Sequence, residues 1–185
     1  MGYILALLVI LVVLLIYGIF YVSKKLDSNV FEENVKLLKK VFNVVSFFIA
    51  LIYIVSTIIS AVAVLYSELI FVLFIKTLIY LVLFVKIYQN GRQLIFNLEL
   101  KEIFVEKNVK FIESIGKSFA NLAIVEVSAG LVTQFFYFIA EISTSFTLMF
   151  NEAIFIYLAI GCLLLVVSKI LHMAILIHEE NQLTI

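Results

Sequence analysis

The chain has 185 residues, of which 65% are hydrophobic and 14% charged, with no proline, no tryptophan and a mean hydropathy of +1.22. Soluble domains are about 45–50% apolar and about 25% charged, and thirteen basic plus thirteen acidic side chains gathered in a few stretches cannot give a polar surface to a 21.1 kDa globule. The zero formal net charge also argues against a nucleic-acid binder working by bulk electrostatics, one cysteine, Cys162, excludes an intramolecular disulfide, and two histidines without a cysteine cluster make no zinc pattern.

Runs long enough to cross a hydrocarbon core of ~30 Å, which takes roughly 20 helical residues, define an all-α polytopic membrane protein with five predicted spans. The first, from about Gly2 to Val22, meets Lys24 and Lys25. It lacks a basic leader and a small-residue cleavage site, and reads as a retained N-terminal anchor over residues 1–23. A connector over 24–40 precedes the second span, about Val41 to Tyr66. Ser67 and Glu68 make a tight break, and the third span, about Leu69 to Tyr88, follows at once, so 41–88 form a transmembrane hairpin. A charged segment over 89–117 leads to the fourth and fifth spans, about Ser118 to Ala140 and Ala153 to Ile177, which make a second hairpin over 118–177 and end in a tail over 178–185.

Basic residues set the direction, because cytoplasmic loops retain Lys and Arg. Five lysines lie between spans one and two, and Arg92, Lys101, Lys107, Lys110 and Lys117 lie between spans three and four. Lys86 and Lys169 flank the same side. The connections around Glu68 and from Glu141 to Glu152 have no Lys or Arg. A five-span path thus places twelve of thirteen basic residues on one side, with the N-terminus outside and the C-terminus cytoplasmic in a plasma membrane. Tyr3, Tyr66, Tyr137 and Tyr157 on the outer side, with Tyr21 and Tyr88 on the inner, fit interfacial belts. Without proline the spans read as continuous helices, unlike the broken helices of many transporter sites, and the isolated Gly18, Gly130 and Gly161 read as packing residues.

Two strings of one form precede spans two and four. Glu32-Glu33-Asn34-Val35-Lys36 and Glu106-Lys107-Asn108-Val109-Lys110 share E-x-N-V-K, and Val35, Leu38 and Val41 recur at the spacing of Val109, Ile112 and Ile115. The two hairpins therefore read as parallel repeats related by an axis along the membrane normal. The second string, continued as Phe111-Ile112-Glu113-Ser114-Ile115-Gly116, together with the tail Glu179-Glu180-Asn181-Gln182-Leu183-Thr184-Ile185, resembles the bacterial membrane family called domain of unknown function 2975. The resemblance runs from about Val41 to the end and leaves the first span outside the family's four-helix pattern. It implies a regulatory partnership with a small cytoplasmic helix-turn-helix protein, and it brings no established enzyme activity to carry over.

Two residues break the apolar pattern most sharply. Lys76 lies ~11 Å below the outer boundary in span three and Glu126 ~12 Å above the inner boundary in span four. Each costs about 2.5–3.5 kcal/mol to insert alone, and their axial separation of ~7 Å is within reach of a lysine and a glutamate, so an intramembrane ion pair is expected, with Gln134 close to the face of Glu126. The segment from Asn90 to Gly116 is too apolar for a free linker and reads as an amphipathic helix at the interface or docked under the spans. Phe104, Asn108, Lys110, Phe111 and Ile115 form its expected partner-docking face.

No Ser or Cys is accompanied by a histidine base, and Gly91 and Gly116 stand alone rather than in a phosphate loop, so neither catalysis nor a cofactor is expected. The preferred function is a non-enzymatic regulatory or sensory component in the lipid bilayer, acting through a protein partner without direct nucleic-acid contact. Immunity against a membrane-active peptide or toxin is an alternative, as is a small transporter or channel subunit resting on Lys76 and Glu126.

Overall fold

The computed structural model describes residues 31–64, 70–139 and 151–183. Among them the architecture is all helical: α1 (Phe31–Val64), α2 (Ile70–Glu99), α3 (Glu106–Ile139) and α4 (Glu152–Leu183), each long and apolar enough to cross a membrane. The predicted first span, the break at Ser67 and Glu68 and the connection before Asn151 lie outside the described residues.

The helices run 30 to 34 residues, about 45–51 Å against a core of ~30 Å, so each has a surplus of several turns. Contacts place the surplus at one end. Lys39 near the start of α1 meets Glu99 at the end of α2, Asn97 meets Asn108 at the start of α3, and Phe104 meets His178 near the end of α4. The four helices are therefore antiparallel, with their charged ends together. The outward faces are apolar and exposed, Phe47 at 64% and Phe155 at 63%, which only a lipid solvent makes favourable.

Residues 89–117 do not form a separate surface helix. Residues 90–99 continue α2 to its end, 106–117 open α3, and only 100–105 turn. The reason is local: nothing in 89–99 removes an amide or forces a break, and Gly91, the one weak helix former, lies where a Cβ would stand 2.6 Å from the Phe42 ring. Phe42 in turn stacks on Tyr88 at 5.7 Å, tying α1 to α2.

Among the described residues, backbone contacts join only helices consecutive in the chain, and α3 with α4 is the most extensive pairing. A Cβ on Gly161 would lie 3.0 Å from the carbonyl oxygen of Gly116 and 3.1 Å from the Ala120 nitrogen, so the two backbones touch there. Ala123 and Ser168 are buried, and the Ser168 hydroxyl donates to the Val109 carbonyl across this seam at 3.4 Å. Isolated glycines on different helices thus act together.

Candidate functional site

The membrane-level site is built on two charged residues, each of which is costly in a bilayer when alone. Lys76 Nζ donates to Glu126 Oε2 at 2.6 Å, with the side chains 22% and 10% exposed. Lys76 lies six positions after Ile70, the first residue of α2, so the ammonium lies within the span, where an unpaired charge is costly. The same ammonium stands 5.5 Å from the centre of the Tyr80 ring, one turn along α2, an arrangement that adds cation–π attraction.

Tyrosines from three helices surround the pair. The Tyr80 ring meets Tyr53 of α1 edge-on at 5.9 Å and Tyr157 of α4 edge-on at 6.3 Å, while Tyr157 also meets Phe119 of α3 at 6.4 Å. Since the backbones of α1 and α4 do not approach each other, these long rings close the middle of the bundle. The Tyr80 side chain is buried, at 6% exposure. Its hydroxyl lies among Glu126, Tyr53 and Tyr157 but completes no hydrogen bond of ordinary geometry. Tyr157, expected near the outer boundary, lies five residues after Glu152 and packs its ring into this cluster.

Further polar contacts rise along the helix pairs. Ser60 and Thr77 hydroxyls meet at 3.1 Å between α1 and α2, and Asn90 Nδ2 donates to Ser114 Oγ at 3.1 Å between α2 and α3. Gln134 is half-buried and makes no hydrogen bond to the ion pair. Separately, a groove of about 410 Å³ between α1 and α2, lined by Phe47, Ile54, Phe84 and Val85 with Asn43 and Ser46, lies apart from the pair.

At the charged end the expected docking face divides. Asn108, 1% exposed, is a structural residue: its Oδ1 accepts from Asn97 Nδ2 at 2.7 Å and its Nδ2 donates to the carbonyls of Glu102 at 2.6 Å and Ile103 at 3.0 Å. All of these bonds serve the turn between α2 and α3. Phe111 and Ile115 are half-buried in packing, so only Phe104 and Lys110 of that set are exposed. Phe104 stacks on the His178 ring at 5.5 Å, and Lys110 lies 3.7 Å from Glu106. The turn itself is a Schellman stop. The Lys101 amide donates to the Leu98 carbonyl and the Glu102 amide to that of Asn97, with Lys101 at φ 63°. Glycine is the usual residue there; Lys101 instead reaches Glu32 at 2.9 Å.

Among the described residues no three side chains of the metal-ligating kinds lie together. What the site can do chemically is hold a cation against a carboxylate under aromatic cover. These observations define an integral membrane protein, a bundle of antiparallel helices with a polar cluster at membrane level. The chain belongs to the family described as protein of unknown function (DUF2975), which matches residues 64–185. That stretch takes in α2, α3 and α4 and is shorter than the resemblance from Val41; it includes the Asn108 turn and the Gly116–Gly161 contact. No curated protein and no solved structure matches the chain.

Proposed function

We propose that the chain is a non-enzymatic sensory component of a bacterial plasma membrane, which passes the state of its membrane-level cluster to a protein partner at the charged end. Helical continuity carries this reading. Lys76 sits on α2 and Glu126 on α3, and both helices run unbroken from the pair to the Asn97–Asn108 turn. The distance along either helix is roughly 27–32 Å at about 1.5 Å per residue. Because the turn is pinned by three side-chain hydrogen bonds, a shift of one helix against the other at the pair is delivered to Phe104 and the end of α4 rather than absorbed by a slack loop.

In this reading the charged end is cytoplasmic, the N-terminal apolar run is a fifth, anchoring span with its N-terminus outside, and the two hairpins are parallel repeats. Support for the repeat comes from position: each E-x-N-V-K string opens a 34-residue helix, with Val35 and Val109 buried and Lys36 and Lys110 exposed. The expected partner is a small helix-turn-helix protein, met by the exposed Phe104 and Lys110. Immunity against a membrane-active peptide is the second reading. It draws on the flank of α1, whose backbone, among the described helices, approaches that of α2 alone.

Copurification from detergent tests the proposal. The wild-type chain should retain a cytosolic protein, Phe104→Glu with Lys110→Glu should lose it at equal membrane abundance, and Lys76→Ala with Glu126→Ala should change the amount retained. A wild-type chain that retains no cytosolic protein contradicts the regulatory reading. Protection against a membrane-active peptide that survives the Phe104 and Lys110 substitutions would favour the second.

A further inference from the structure

We infer that Glu126 and its tyrosine surround form a binding site for a primary alkylammonium, a site that the tethered ammonium of Lys76 fills in this structure. Recognition of an organic cation in a dry setting takes a carboxylate for the charge, an aromatic face for the ammonium and apolar walls for the tail. All three are present. Glu126 Oε2 is 2.6 Å from the Lys76 ammonium, the Tyr80 ring centre is 5.5 Å from the same nitrogen, and Phe119 and Tyr157 continue the wall.

Two observations show capacity beyond what Lys76 uses. Lys76 engages one carboxylate oxygen and leaves Oε1 outside that bond, and the hydroxyl of Tyr80, a residue 6% exposed, lies close enough to Glu126 to interact with it but without a hydrogen bond of ordinary geometry. A free ammonium carries three N–H donors and is not held by a stem, so it can address Oε1, Oε2 and the tyrosine oxygen together. The lysine can vacate the site, because its long stem springs from the second turn of α2 and lets the ammonium rise toward the nearer interface. The pair is also not sealed: 22% exposure of the Lys76 side chain leaves an approach from the lipid side, where an amphiphilic amine collects.

This assignment names the input of the sensory reading and rests on it, but its test needs no cytosolic partner. The purified full-length chain is titrated in detergent with n-butylammonium, with n-butanol for the tail and sodium chloride for the charge as controls. Tyrosine fluorescence reports directly, since the chain has nine tyrosines and no tryptophan. Lys76→Ala should give a saturable change with half-saturation about 10-fold or more below that of wild type, where the tethered lysine competes at a local concentration in the millimolar range. Lys76→Ala with Glu126→Gln should give none. Equal half-saturation in wild type and Lys76→Ala, or a response that persists without the Glu126 charge, overturns the inference. If Lys76→Ala does not stay folded, butylammonium and not butanol must restore its monodisperse peak during extraction. Failure to do so, with the double variant folded, overturns it equally.

Discussion

Two lysine–glutamate pairs in this molecule close to nearly the same distance in opposite surroundings, Lys39 reaching both oxygens of Glu99 and Lys76 one oxygen of Glu126. Lys76 meets Glu126 at 2.6 Å with side chains 22% and 10% exposed, and Lys39 meets Glu99 at 2.7 Å with side chains 47% and 24% exposed. Both link neighbouring helices at large sequence separation. At the charged end each partner has water as an alternative, so the pair gains little over its separated ions. At membrane level the alternative for either ion is hydrocarbon, and the cost of separation falls on the fold. Distance alone therefore says little about what an ion pair contributes; the solvent of the separated state decides.

The contrast is easiest to break with single substitutions. Lys76→Ala or Glu126→Ala should lower stability by about 3–5 kcal/mol, seen as lost membrane accumulation, and the double alanine variant should recover most of it. Accumulation of either single variant at the wild-type level would put the pair in the same class as Lys39–Glu99. The charged end has its own strong contact, and it is neutral. Asn108→Ala abandons the bonds to Asn97 and two carbonyls and should cost about 1–3 kcal/mol in a detergent denaturation series. Lys39→Ala in the same series should cost no more than about 1 kcal/mol. Lys101→Gly sharpens the contrast from the other direction. It relieves a left-handed backbone at the expense of the exposed contact to Glu32, and should leave stability unchanged or raise it by up to about 1 kcal/mol.

The membrane pair was legible in the sequence because hydropathy marks both residues as misfits and a fixed helical rise gives their depths. Helix extents were legible where the chain is apolar and not where it is mixed. The alternation of Lys and Glu with Leu, Ile and Phe over 89–117 has the signature of an interfacial helix, yet also suits helix ends that pack on each other beyond the bilayer. Burial of Asn108 had no local signal, since an asparagine next to Lys107 and two residues before Lys110 reads as solvated; its role depends on Asn97, eleven residues back across a turn. The tyrosine surround was hidden for a related reason. Tyr53, Tyr80 and Tyr157 come from three helices, and their convergence depends on helix rotation, which composition and depth leave free. The contact of Gly116 with Gly161 likewise joins glycines that look isolated along the chain.

Double-mutant cycles on the two ion pairs, run in one membrane-mimetic and one denaturation protocol, measure the difference directly. Alanine at Lys76, at Glu126 and at both should give a coupling energy of about 2–3 kcal/mol or more, against less than about 1 kcal/mol for the matching cycle on Lys39 and Glu99. Equal couplings in the two cycles would contradict the account that surroundings, and not geometry, set what these pairs contribute.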